Sequence, residues 1–271
     1  MVNYTLITRE THSTKRWRKP GNYAFAAQEA LAALGANELG QVAMSMPIAF
    51  NALDASYVPV ALLGFQSGKN LLVGLQGQWL GSYVPAALQH YPFSLTMTET
   101  GEHALCLAED GQCIGVHGEG EPFFAQDGQL SPALARVVQA MTDTERHRQA
   151  CHAPCLALAK HGLIEPWPIV LKNGATEQKL AGLFRVNENA LNQVTADALL
   201  ELRNTGALAM AYCQLLSMQH LPRLGQLADA HNRAQAESEA MSEAMVVAKL
   251  APKGELDLEF LNAGGTIKLG F

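Results

Sequence analysis

The chain has 271 residues, of which 48% are hydrophobic and 16% are charged. This composition excludes intrinsic disorder and predicts a compact fold with a substantial core. The formal net charge of −6 excludes general attraction to nucleic acid or to an anionic membrane, so either partner would need a local basic patch. No polar linker or repeat divides the chain, which predicts a single domain over residues 1–271.

A basic cluster surrounds Trp17 near the N-terminus and consists of Arg9, Lys15, Arg16, Arg18 and Lys19. Such a segment could bind phosphates, but one short patch releases few counterions. An arm docked on the acidic remainder of the protein is the simpler interpretation. The sequence therefore predicts no nucleic-acid partner.

Residues 23–46 are rich in alanine and predict two short helices divided at Gly35. Short apolar runs separated by glycine, asparagine and serine then predict the strands of a central sheet. These runs cover residues 47–53, 56–65, 70–75, 94–100 and 103–110.

A long helix is predicted to begin after Ser131, a favourable N-cap, with Pro132 at its first position. It should break near Pro154, because proline lacks the amide donor and clashes with the preceding turn. The turn at Asn173-Gly174 predicts a hairpin, and a helical region is expected from Leu208 toward Leu250, interrupted around Pro222 and Gly225.

Together these patterns predict an α+β fold. A mainly antiparallel sheet, built from the N-terminal half and residues 168–187, should pack with helices that include a long C-terminal helical region. Along that region Leu227, Ala234, Met241 and Ala248 are spaced seven residues apart. This seam predicts either packing within the chain or a homodimer.

Two groups of residues suggest metal ligands. His147, Cys151 and Cys155 would share one helical face, but Pro154 disturbs that helix, and buried cysteines are the ordinary alternative. His117 and Glu119 have the His-x-acid spacing of some iron sites, yet no second histidine stands out. The sequence predicts no metal and no cofactor, and the familiar catalytic signatures are absent.

The five cysteines are an odd number, which argues against a disulfide framework and favours a reducing compartment. The start of the chain lacks the features of a signal peptide, and no apolar stretch is long enough to span a bilayer. We therefore expect a cytoplasmic location, with export to the cell surface by a leaderless route as the alternative.

Aromatic side chains are concentrated within fifteen positions, among glycines and prolines. Rings beside turns can line a ligand or peptide groove, because they offer a large area at a small entropy cost. The alternative is a corner of the core. The candidate binding residues are Trp79, Tyr83, His90, Tyr91 and Phe93.

The same stretch contains four short motifs, Asn70-Leu71-Leu72-Val73, Gly77-Gln78-Trp79, Tyr83-Val84-Pro85-Ala86 and Tyr91-Pro92-Phe93. In these motifs the chain resembles the SapC family of bacterial proteins. Further matches are residues 120–124 with Asp127-Gly128, residues 182–187 with Leu191, the helix AYCQLLSMQHL and the ending FLNAGGTIKLGF. The chain departs from the pattern at Leu72, where relatives carry phenylalanine, and at Gln89-His90, where they often carry basic residues.

The resemblance implies an association with bacterial surface layers, or with the peptide-modifying oxygenases and halogenases beside which relatives are often encoded. It carries over no catalytic residues. The transporter permease of the same name is a different protein, since a permease needs membrane spans.

Three functions follow as hypotheses. The first is a non-enzymatic accessory or binding protein that contacts a protein or peptide partner through the aromatic stretch. The second is an enzyme with an unrecognised, metal-dependent site near His117 and Tyr91. The third is a structural component of the surface layer.

Overall fold

A computed structural model of the chain describes residues 3–53, 56–97, 103–108, 113–115, 120–173 and 176–250. The chain divides into two compact units, Met1–Gly225 and Gln226–Phe271. All strands of the described residues belong to the first unit. The single domain over residues 1–271 stays a prediction.

The strands share short lengths and are β1 (Tyr4–Leu6), β2 (Arg16–Trp17), β3 (Leu31–Ala33), β4 (Ile48–Leu53), β5 (Ser56–Leu62), β6 (Phe93–Met97), β7 (His103–Ala108), β8 (Ile114–Gly115), β9 (Glu121–Pro122), β10 (Ile164–Pro166), β11 (Ile169–Asn173), β12 (Thr176–Leu180) and β13 (Leu183–Val186). The α-helices are α1 (Arg9–His12), α2 (Leu39–Ala43), α3 (Ala86–Gln89), α4 (Pro132–Gln149), α5 (His152–Lys160), α6 (Glu188–Leu191), α7 (Ala196–Thr205), α8 (Ala207–Ser217) and α9 (Leu221–Leu250). Single 3₁₀ turns occupy Ala24–Ala26 and Met218–His220.

The strands pair antiparallel throughout the described residues. The largest sheet has the order β10-β13-β4-β5-β3, and two three-stranded sheets have the orders β1-β7-β6 and β8-β2-β9. β11 and β12 pair only with each other. The predicted α+β class, with antiparallel sheets from the N-terminal half and a long C-terminal helix, is confirmed.

Helices α5, α7 and α8 pack together, and α5 and α8 cover the five-stranded sheet. Buried polar side chains join α8 to that sheet. Gln214 accepts a hydrogen bond from the Val186 amide (3.0 Å) and donates one to the Ile48 carbonyl (3.2 Å), while the Ile48 amide donates to Ser217 Oγ (2.8 Å). Because both partners of each bond are buried, these contacts fix the position of the helix on the strands.

A second core lies among α4 and the two smaller sheets. Its fully packed members are Trp17, Phe93, Leu107, Phe123, Leu134 and Met141. Helix α4 begins as predicted, since Ser131 Oγ accepts a hydrogen bond from the Leu134 amide and Pro132 follows it. This second core carries the cleft described below.

Within the described parts of the chain, every helix is too short or too polar to cross a bilayer.

Candidate functional site

A surface cavity of about 520 Å³ lies between the N-terminal strand β2, the segment after α3, and helix α4. We call it the basic-aromatic cleft. Its lining consists of Trp17, Arg18, Lys19, Gln89, His90, Tyr91, Phe93, Gly120, Glu121, Ala133, Arg136, Val137 and Ala140.

The rim of the cleft is positively charged. It carries the exposed side chains of Arg18, Lys19 and Arg136, and Glu121 is the one acidic residue among the described lining residues. The Arg18 amide donates to the Cys113 carbonyl (3.0 Å), and Arg136 Nε donates to the Pro132 carbonyl (3.1 Å). Among the described residues Lys19 and Arg136 form no ion pair, so they favour negatively charged ligands locally, although the chain as a whole carries a charge of −6.

The floor of the cleft is aromatic. Trp17 is 5% exposed and meets Phe93 edge to face, with ring centroids 4.8 Å apart, and Phe93 meets Phe123 at 6.4 Å. Strand β2 is held on both sides, because Trp17 pairs with Ile114 of β8 and Glu121 of β9. The rigid pairing of this strand places the adjoining Arg18 and Lys19 at the rim.

Among the described residues, the indole nitrogen of Trp17 has no hydrogen-bond acceptor, and it is shielded from solvent. A buried donor without an acceptor costs about 1–3 kcal/mol, and such a cost is rare in a folded protein. Because Nε1 is closed off from solvent, a ligand in the cleft meets other atoms of Trp17.

Tyr91 belongs to a row of rings beside the cleft. It stacks on Phe25 with centroids 4.0 Å apart and planes inclined by 5°, and Tyr23 lies between Phe25 (5.9 Å) and Trp79 (5.4 Å). Trp79 is thus at the far end of the row and outside the cleft lining. The aromatic stretch therefore contributes Tyr91 to the cleft lining, whereas Trp79 lies outside it.

Tyr83 is held by a buried carboxylate. Glu38, 2% exposed, accepts hydrogen bonds from the Tyr83 hydroxyl (2.9 Å), the Ala86 amide (2.9 Å) and the Gly35 amide (3.0 Å). Burial, followed by this hydrogen bond to Glu38, raises the pKa of Tyr83 well above its usual range. Trp79 Nε1 also donates to the Tyr83 carbonyl (2.8 Å). The polar atoms of both residues therefore stabilise the loop before α3.

His90 separates the cleft from a second cavity of about 510 Å³, which is lined by His90, Phe93 and residues of α4 from Met141 to Gln149. Its Nε2 lies 2.8 Å from Thr144 Oγ1, which itself donates to the Ala140 carbonyl (3.0 Å). His90 Nε2 is therefore the donor. Burial, and then the charge of Lys19, lower the pKa of His90, so the neutral ring predominates at pH 7.

The five predicted binding residues are thus not equivalent. Tyr91, His90 and Phe93 line the cleft, with Phe93 buried in the second core, whereas Trp79 and Tyr83 support the neighbouring loop. Their role in binding stays a prediction.

The predicted metal candidates differ in what the structure describes. His117 and Glu119 lie outside the described residues. In the described part of the chain, no three His, Cys, Asp or Glu side chains approach closely enough to hold a metal ion. Cys151 Sγ lies 3.6 Å from the Leu34 carbonyl, and Cys155 Sγ lies 3.6 Å from Met210 Sδ.

The buried thiols should react slowly. Burial raises the pKa of Cys151 to about 11 and that of Cys155 to about 12, and it also raises the pKa of the partly exposed Cys213. Iodoacetamide at pH 8 should alkylate Cys213 first, and Cys151 and Cys155 more than about a hundredfold more slowly than Cys213, because the thiolate is the nucleophile. Mass spectrometry of timed samples measures this, with denatured protein as the control. Equal rates in the native protein would contradict the assignment.

A polar cavity of about 510 Å³ lies elsewhere, where β10, β13 and α6 meet. Glu165 and Arg185 form an ion pair in it (2.8 Å), and Asn187 Oδ1 caps α6 by accepting from the Ala190 amide (2.9 Å). Because Glu165, Arg185 and Asn187 already have partners within the protein, the basic-aromatic cleft is the stronger candidate site.

Sequence reasoning did not connect the two halves of the cleft. The basic cluster near Trp17 by itself predicts a docked arm, and the aromatic stretch by itself predicts a groove or a corner of the core. It also passed over one face of α4, where Ala133, Arg136, Val137 and Ala140 recur at helical spacing. That spacing is the signal that could have identified the third wall.

Comparison with known proteins gives one family. The SapC family model matches residues 7–224, a range that includes every residue of the cleft. Neither the curated proteins nor the solved structures give a significant match. Since the matched range covers most of the 271 residues, the chain belongs to the SapC family.

Proposed function

We propose that this protein is a non-enzymatic binding protein that holds a peptide segment of a partner protein in the basic-aromatic cleft. The observation that carries the proposal is that Arg18 and Lys19, two residues of the basic N-terminal cluster, and Tyr91 of the aromatic stretch line the same cavity. Exposed cations beside half-buried rings provide both charge and contact area, which peptide-binding surfaces commonly combine.

The biological setting is part of the same proposal. Membership of the SapC family supports a role as an accessory protein in surface-layer biogenesis or in a peptide-modifying system. In either setting the protein would hold a substrate polypeptide rather than transform it. The proposed partner is therefore a protein, and neither the compartment nor a homodimer is needed for the binding itself.

Photo-crosslinking tests the proposal. The photoreactive residue p-benzoylphenylalanine replaces Gln89, an exposed residue of the cleft lining, in the native bacterial host. The control position is Leu200 on α7, which is 53% exposed and lies outside the cleft. We expect a defined protein adduct from position 89 that is missing from position 200, identified by mass spectrometry.

Charge reversal provides the second control. Lys19→Glu with Arg136→Glu should reduce the adduct by at least about tenfold, because charged contacts at a binding site set both encounter and specificity. Arg9→Glu with Arg203→Glu changes the net charge equally at exposed positions outside the cleft and should leave the adduct intact. Identical adducts from positions 89 and 200, or none from position 89, would refute the proposed function.

A further inference from the structure

The cations of the cleft rim are available to a ligand. Among the described residues, Lys19 and Arg136 form no ion pair, and both side chains are exposed. The other prominent exposed cations of α4 differ, since Arg146 pairs with Asp143 (2.7 Å) and Arg148 pairs with Glu145 (2.8 Å). Placing two cations close together costs electrostatic free energy, and a carboxylate bound between them lowers that cost. The rim therefore attracts carboxylates.

The remaining surface of the cleft is apolar. Ala133, Val137 and Ala140 present one face of α4, and the Tyr91 ring lies among the same lining residues, supported by Phe25. An apolar strip next to cations suits a ligand in which hydrophobic side chains alternate with carboxylates. A cavity of about 520 Å³ has room for a few residues of such a segment.

We infer that the ligand of the basic-aromatic cleft is an acidic peptide, in which glutamate or aspartate carboxylates pair with Lys19 and Arg136 and hydrophobic side chains lie on the apolar strip of α4. The inference rests on the proposed function and specifies its partner. A peptide is favoured over nucleic acid because the apolar strip of Ala133, Val137 and Ala140 suits hydrophobic side chains, and because the cations Lys19 and Arg136 can neutralise only a few of the phosphates of a polyanion.

A paired peptide array tests the inference on the full-length protein. Each hexapeptide carries two glutamates among leucine, phenylalanine and alanine, is capped at both ends, and is matched by a peptide with glutamine at the same positions. We expect glutamate peptides to bind at least about tenfold more tightly than their partners, with affinity falling as salt rises. Lys19→Glu with Arg136→Glu should abolish the preference, while Arg9→Glu with Arg203→Glu should keep it.

Nuclear magnetic resonance gives an independent readout. In ¹⁵N-labelled protein, the best glutamate peptide should shift the backbone amide resonances of Lys19 and Arg136 and leave that of Arg203 in place. Equal binding of glutamate and glutamine peptides would overturn the inference and leave the proposed function standing. Failure of all peptides, or tighter binding of single-stranded DNA, would also overturn it, whereas the crosslinking experiment decides the proposed function separately.

Discussion

Replacing Phe93 by alanine is expected to lower the free energy of unfolding by about 3–5 kcal/mol, as for other large buried rings. Phe93 is 5% exposed, and its ring makes edge-to-face contacts with the rings of Trp17 and Phe123. Alanine would leave a cavity at the centre of the second core and remove two aromatic contacts, which add to the loss of buried area. Urea denaturation followed by circular dichroism measures the change.

Phe93→Leu is the matched control, because it keeps most of the buried volume and should cost less than about 2 kcal/mol. If the alanine variant lost less than about 1 kcal/mol, the ring would not support the core in the way described. The same variant is unsuitable as a binding test, since a loss of binding could reflect a collapsed cleft floor. For that reason the ligand experiments change the exposed Lys19 and Arg136 instead.

Replacing Glu38 by alanine should cost about 3 kcal/mol, because three donors lose a carboxylate acceptor at once. Two of them are the amides of Gly35 and Ala86, and the third is the Tyr83 hydroxyl. The Glu38 carboxylate thus joins the start of α2 to the start of α3, the helix that leads into Gln89 and His90 of the cleft. Thermal and urea unfolding measure the loss.

Tyr83→Phe is the control for Glu38, since it removes one donor and leaves the carboxylate bonded to both amides. It should cost about 1 kcal/mol, the usual contribution of one hydrogen bond. Equal stability of the Glu38→Ala and Tyr83→Phe variants would show that the two amide bonds contribute nothing. The comparison separates the contribution of the two amide hydrogen bonds of Glu38 from that of its hydrogen bond with Tyr83.

Local signals predicted several elements correctly. Ser131 and Pro132 mark the start of α4, and the strand pair on either side of residues 98–102 was expected from two short apolar runs. Pro154 was expected to break the helix, but the break comes one turn earlier, at Ala150 and Cys151. The reason is that Pro154 lies in the first turn of α5, where a missing amide costs nothing.

Long-range pairing overturned other expectations. Residues 23–34 are rich in alanine and were predicted to be helical, yet Leu31–Ala33 forms β3 at the edge of the largest sheet, paired with β5. Residues 70–75 were predicted to be a strand, and only Val73 makes a bridge there, to Trp79. Helix and strand propensities are small compared with the burial that a sheet edge or loop offers.

Local sequence patterns could not predict the cleft for the same reason. Its lining residues are drawn from four stretches between Trp17 and Ala140, and their meeting depends on the pairing of β2 with β8 and β9. The aromatic stretch was correctly noticed as unusual, but composition cannot show which rings face a cavity and which support a loop.

The assembly of the cleft from distant stretches has a practical consequence. No short fragment can reproduce the cleft, so any molecule that fills it binds the folded state alone and must raise the melting temperature. A ligand at a hundred times its dissociation constant would stabilise the protein by about 2.7 kcal/mol. Thermal-shift screening of small molecules and peptides can therefore find ligands before any partner is known.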